Sequence, residues 1–120
     1  MSRSSSLLER YAAGERSFTD LDLDDQVYDF SGANLAGVDF SRTFIFADFR
    51  GANLAGAKFD HGNVKTCDFR GANLERASFI GAAIDSADFR GASMEGVSFD
   101  GASEQGHVYG ENELPIRPEA

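Results

Sequence analysis

An all-β solenoid with four short faces per coil is the fold this sequence predicts, and three observations carry the prediction. Four nearly identical heptapeptides, Asp29–Leu35, Asp48–Leu54, Asp68–Leu74 and Asp88–Met94, begin 19, 20 and 20 residues apart, which is the mark of stacked structural repeats. Within each period a large apolar residue returns every five positions, as in Phe49, Leu54, Phe59, Val64 and Phe69. Neither the 3.6 of a helix nor the 2 of a strand produces that spacing. The residue two before each of these centres is small (Ala47, Ala52, Ala57, Gly62, Cys67), and the residue two after is often Gly. A chain that buries one large and one small residue in every five, then turns at a permissive residue, coils with four sides to a period of twenty.

The elements follow in order. Residues 1–17 are a capping helix and lead-in: Ser4 to Gly14 has a Ser N-cap, Glu9 in its first turns, a terminal Gly, and Leu7, Leu8 and Tyr11 on one face. A short amphipathic helix is the expected cover for the open edge of a β-solenoid. Residues 18–103 are the solenoid. Phe18 and Leu23 belong to an incomplete first coil if Asp24–Tyr28 carries a two-residue insertion that loops out. The inward centres are then Phe30, Leu35, Phe40, Ile45, Phe49, Leu54, Phe59, Val64, Phe69, Leu74, Phe79, Ile84, Phe89, Met94 and Phe99. Stacked by coil they form columns of one residue type, which is what neighbouring coils need to pack like shapes on one another. Glu104 falls where the next aliphatic centre belongs, so the coils stop there and residues 104–120, with Tyr109, Leu114 and Ile116, form a tail or cap.

The first full coil is one residue short, and Phe44, Ile45 and Phe46 compete for its fourth centre. Ile45 fits best: it matches the aliphatic column of Val64 and Ile84 and puts Thr43, rather than Arg42, at the inward small position. Phe44 and Phe46 then flank it and point outward, unless the missing residue distorts the corner and one of them turns in. With the acidic run of Asp22, Asp24, Asp25 and Asp29 on the adjoining coil, they make a candidate interaction patch.

The triplets Ala33-Asn34-Leu35, Ala47-Asp48-Phe49, Ala52-Asn53-Leu54, Cys67-Asp68-Phe69, Ala72-Asn73-Leu74 and Ala87-Asp88-Phe89 resemble the repeat unit of the pentapeptide-repeat family, and the match runs from about Phe18 to Phe99. The resemblance implies a right-handed quadrilateral β-helix of about four coils. The best-known activity in that family is DNA mimicry, in which quinolone-resistance pentapeptide proteins present an acidic rod to DNA gyrase.

Composition narrows the function further. The chain of 120 residues is one domain's length. Its formal charge of −9 argues against direct nucleic-acid binding. Cys67, the single cysteine, can form no internal disulfide. No segment has the length of a signal core or membrane span, so a cytoplasmic protein that does not bind membranes is the expectation. From Phe30 to Phe99 there are eight acidic and seven basic residues, a net of −1, so the acidity lies at the ends. A nearly neutral prism imitates poorly a duplex carrying one charge per about 1.7 Å.

No catalytic, metal-binding or cofactor-binding arrangement stands out, and the expectation is a protein that is not an enzyme and uses no cofactor. His61 and His107 lack metal-site spacing. Asp60-His61 beside Cys67 could be imagined as a base and nucleophile, but Cys67 sits at an inward position. The acidic run at Asp20, Asp22, Asp24 and Asp25 lacks the Gly and closing Glu of a calcium loop. Asp29, Asp48, Asp68 and Asp88 form an outward ladder beside Arg50, Arg70 and Arg90. It reads as a mutually neutralised face, with a surface for a carboxylate-rich partner as the other use. The leading functional reading is a non-enzymatic protein-interaction or scaffold module, a monomer or weak dimer, whose protein partner the sequence does not name. The alternatives are a DNA-mimicking modulator of gyrase or topoisomerase, and an immunity or regulatory protein for a neighbouring toxin or enzyme.

Overall fold

Each side of the solenoid is a short extended segment closed by a two-residue turn, and where an Asp or Asn precedes the centre its side chain bonds the backbone of that turn. In the computed structural model, which describes residues 3–115, Oδ1 of Asp48, Asn53, Asn63, Asp68 and Asn73 accepts the N–H two residues on at 2.9 to 3.1 Å. Short polar side chains favour turns by this local bond. The second turn residue is left-handed, with φ of +68° at Gly71 and +57° at His61. Only glycine adopts that conformation freely.

The sides stack in parallel, with bridges that link Asp48, Asp68 and Asp88 on one face and Asn53, Asn73 and Ser93 on the next. The N–H of Phe69 donates to Asp88 O at 2.7 Å and the N–H of Asp88 donates to Cys67 O at 3.0 Å, a rung repeated on every side. That spacing sets aromatic columns inside. Ring centroids lie 5.1 and 5.0 Å apart in Phe49–Phe69–Phe89, and 4.9 and 4.7 Å apart in Phe59–Phe79–Phe99, with planes within 9° of parallel. The two columns meet edge to face, as at Phe69–Phe79, 5.5 Å and 88°, an arrangement favoured by the ring quadrupoles. The centres from Phe30 to Ile84, and Phe99, are buried. Phe89 and Met94, assigned to the core by their spacing, are only half-buried, because among the described residues no further coil stacks on those two sides.

The short coil lacks a corner. Elsewhere a left-handed residue follows each centre by two, but Ala47 holds that place after Ile45 and is not left-handed. The chain runs straight through as a strand, Phe44–Asp48, paired in parallel with Asp22–Asp29. These are β2 and β1. Leu23 pairs with Ile45 and Tyr28 with Ala47, so β1 spends five positions where β2 spends two, and residues between Leu23 and Tyr28 bulge out. The expected loop over Asp24–Tyr28 is therefore corrected at its end: Tyr28 is fully buried, its ring 6.0 Å from Phe30.

The two ends are closed differently. Helix α1, Arg3–Ala12, lies across the N-terminal end with Leu7 and Tyr11 buried. Tyr11 Oη donates to Ala36 O at 2.6 Å, and Ser4 Oγ accepts the N–H of Asp29 at 3.1 Å. At the other end a two-residue hairpin, β3 (Ser103–Glu104) with β4 (His107–Val108), turns the chain back. It lays Tyr109 over Phe99, with centroids 6.2 Å apart. Ile116, placed by the sequence in the tail or cap, lies outside the described residues.

Gly62 stands where neighbouring coils have Ala52, Ala57, Ala72, Ala77 and Ala82. A Cβ there would sit 2.8 Å from the carbonyl oxygen of Thr43 and 3.3 Å from that of Phe59, both of them backbone atoms held in rungs or turns. Gly62→Ala should therefore destabilise the fold by about 1–3 kcal/mol in denaturant unfolding, against the usual sign of a Gly→Ala change. An unchanged or raised midpoint would contradict the packing described here.

Candidate interaction surface

Strand β2 alternates in burial, and its outward side carries two phenylalanines. Ile45 and Ala47 point inward at 3% and 2% exposure, while Phe44 and Phe46 are 49% and 38% exposed. Alternation is the consequence of the missing corner, since successive side chains of a straight strand take opposite faces. Phe44 and Phe46 thus share one side. The corresponding places in later coils hold Asn63 and Lys65, then Ala83 and Asp85.

The adjoining strand extends the apolar surface. Tyr28 pairs with Ala47 and points inward, and its neighbour Val27, at the end of the bulge, is 56% exposed. Val27 had no sequence signal, because its orientation follows from a bulge whose register only the folded pair determines. Of the predicted acidic residues, Asp22 lies opposite Phe44 and Asp24 is exposed in the bulge. Asp25 is turned toward α1, where it accepts from the Tyr28 hydroxyl at 2.8 Å and pairs with Arg3. The tyrosine hydroxyl and then the Arg3 charge hold its carboxyl below the usual range. Asp29 is not part of this cluster: its Oδ1 accepts from the Ser31 N–H and hydroxyl at the head of the aspartate ladder. A shallow cleft of about 300 Å³ lies between α1 and β1, lined by Arg3, Leu7, Arg10, Leu21, Asp22 and Tyr28 among others, and it shares Asp22 with the phenylalanine patch.

The neighbouring face is electrically closed on itself. Arg50, Arg70 and Arg90 each grip the aspartate two residues earlier at 2.7 Å, and Arg50 and Arg70 also reach the aspartate of the next coil at 3.8 Å. The arginine hydrogen bonds hold the carboxyls of Asp48, Asp68 and Asp88 below the ordinary range. The imagined nucleophile does not assemble. Cys67 is wholly buried, its Sγ donates to Ile45 O at 3.2 Å, and burial pushes its pKa to about 12. His61 is an exposed turn residue, and Asp60 accepts from the hydroxyl of Ser78 and the N–H of Ile80. Among the described residues no group of His, Cys, Asp and Glu is arranged to hold a metal ion, and no helix is long and apolar enough to cross a membrane.

The rung-by-rung regularity has a counterpart in known sequences: the pentapeptide repeats profile matches in eight copies, over residues 29–71, 47–83 and 67–103. The chain belongs to the pentapeptide-repeat family. Among solved structures it is similar to QnrB1, a plasmid-mediated fluoroquinolone resistance protein, at 22% identity and a TM-score of 0.53, covering 73% of this chain and 55% of that one. This pentapeptide-repeat chain therefore spans about half the length of QnrB1, and the likeness shows a shared repeat β-solenoid. It also matches alr5209, a pentapeptide repeat protein from Nostoc PCC 7120, at 29% identity over 92% of this chain and 87% of that one, with a TM-score of 0.40. A further match is HetL of Nostoc sp. PCC 7120, at 26% identity over 78% of this chain and 49% of that one, TM-score 0.36. No curated protein sequence matches the chain.

Two outcomes test this geometry. The aspartates of the ladder have folded pKa values below their unfolded ones. Their contribution is complete above the unfolded value, near pH 4, and is lost as pH falls through the folded values. Thermal melts followed by circular dichroism should show a drop in Tm between pH 5 and pH 3, and the drop should be smaller in the triple variant Arg50→Gln, Arg70→Gln, Arg90→Gln. Separately, the Cys67 thiol should react with an aromatic disulfide at least about a hundredfold more slowly in the native protein than in denaturant.

Proposed function

We propose that this pentapeptide-repeat protein is a non-enzymatic interaction module that binds a protein partner through the side carrying Val27, Phe44 and Phe46. The observation that carries the reading is the pair of phenylalanines held outward on β2, 49% and 38% exposed, where later coils place Asn63, Lys65, Ala83 and Asp85. Large aromatic side chains on a rigid strand lose little entropy on docking and are the residues that dominate interface energy. The exposed carboxylates of Asp22 and Asp24 border them, so the fitting partner surface is an apolar depression flanked by Lys or Arg. Such a partner would be met in the cytoplasm.

DNA mimicry finds less support. Asp48, Asp68 and Asp88 are each gripped by an arginine, so that face offers alternating charge rather than a run of anions. The similarity to QnrB1 bears on the fold alone. An immunity or regulatory role is a special case of the module proposed here, differing in the partner's identity.

The test is affinity capture from native lysate at low and high salt, with Phe44→Ser, Phe46→Ser as the variant. The wild-type chain should retain a salt-resistant partner that the variant binds at least about 30-fold more weakly, a loss of about 2 kcal/mol, while its Tm stays within a few degrees. Equal retention by a folded variant would remove the patch. Gyrase or topoisomerase subunits released at high salt would favour mimicry instead.

A further inference from the structure

We propose that the occupant of the Phe44/Phe46 side is a second copy of this chain, laid antiparallel against the same side about a two-fold axis that passes between the two phenylalanines. The proposal rests on the reading of that side as an interaction surface and names its partner.

The side is complementary to itself. Asp22, Phe44 and Asn63 stack in register on successive coils, and beyond the inward Ile45 and Val64 the next outer places hold Phe46 and Lys65. Asp22 therefore lies one coil before Phe44 and Lys65 one coil after Phe46, at opposite corners around the phenylalanine pair. A half-turn about the centre of that pair exchanges opposite corners. It sets Phe44 against Phe46 of the second copy and Asp22 against its Lys65, and it does so twice. Asp24, next along β1 after the inward Leu23, comes to the level of Asn63, and Asp85 is directed to the α1 end, where Arg3 and Arg10 line the cleft. Both Asp22 and Lys65 are exposed, and neither has an ion-pair partner among the described residues. The charges that would meet across the axis are thus unclaimed within the chain.

Charge and packing also reject the other arrangements. Shifting the axis half a coil spacing toward the C-terminal end sets Asp22 on Asp85, and shifting it half a spacing the other way sets Asp22 on Phe46. A whole spacing toward the C-terminal end sets Phe44 on Asp85. A parallel pair would bring the acidic β1 strands of the two copies together. Each alternative opposes like charges or leaves a carboxylate on an aromatic ring, which is how an interface excludes wrong registers. In the remaining one, four rings form an apolar centre, where aromatic pairs gain from offset or edge contact, and the two Asp22–Lys65 pairs form its polar rim. The area suits as well: a side of 40 by 22 Å buries at most roughly 1,800 Å² over both copies, which reaches the range of a specific interface. With part of that side left uncovered, the dimer is reversible.

Sedimentation equilibrium of the full chain from about 1 to 500 μM tests this, in about 200 mM salt so that the net charge of −9 on each copy is screened. The expected result is a monomer–dimer equilibrium with a midpoint in the tens of micromolar, while Phe44→Ser, Phe46→Ser stays monomeric with its Tm within a few degrees. Asp22→Lys and Lys65→Asp should each dimerise severalfold more weakly than wild type. An equimolar mixture of the two should dimerise more tightly than either alone, because only the mixed pair restores both attractive contacts across the axis. A second measurement leaves the aromatic centre intact. Cys67 is buried, so Asp22→Cys and Lys65→Cys each carry one accessible thiol, and a short bis-maleimide should link one variant to the other faster than it links either to its own kind. A wild-type chain that is monomeric at 500 μM would overturn the second copy as occupant; capture from lysate with the Phe44→Ser, Phe46→Ser variant then decides separately whether the side binds another protein. A dimer that survives those substitutions, a mixture no tighter than its components, or cross-linking without preference for the mixed pair would overturn the proposal equally.

Discussion

The register between coils is the constraint on which the rest of this molecule depends. One backbone rung per side holds each residue above its counterpart about twenty positions back, and the same rung places phenylalanine on phenylalanine at 4.7 to 5.1 Å. The two effects cannot be separated. A slip of one residue would break no rule of hydrogen bonding, but it would carry the inward centres to the outside and the aspartates into the core. Side-chain identity therefore selects the register, and the ladder of hydrogen bonds makes it rigid.

The one place where the period fails shows how far that rigidity reaches. Omitting the corner after Ile45 preserves the inward column, because Ile45 and Ala47 still point inside. The outer surface absorbs the change, through a straight strand that has no turn on which to place polar side chains. Phe44 and Phe46 become the outer residues of that strand, β1 bulges to keep pace with it, and the coil above accepts a glycine at residue 62 beside the Thr43 carbonyl. A single missing residue thus links the candidate surface, the bulge and the tight contact.

The ends follow a different logic from the middle. A solenoid coil is buried by its neighbours, so a terminal coil must find another cover. The N-terminal end has its own helix, whereas the C-terminal end has a short hairpin that covers part of the cross-section. Phe89 and Met94 have the same sequence environment as Phe69 and Leu74, yet they differ in burial for want of a coil above. Periodicity alone places them in the core.

From the sequence alone came the four-sided repeat, the identity of the inward columns and the position of the irregular coil. These depend on spacing, which is a local property of the chain. The choice of Ile45 as the fourth centre was legible for the same reason: it was the option that kept both the large and the small column in type. Only the tertiary structure decided that the missing residue was a corner, and that both phenylalanines therefore stay outside. It alone exposed Val27 on the adjoining strand and turned Asp25 toward Arg3, and it separated Asp29 from the patch. Each of these depends on how one coil's length is matched to the next, a relation between residues about twenty apart that appears only when the coils are laid on one another.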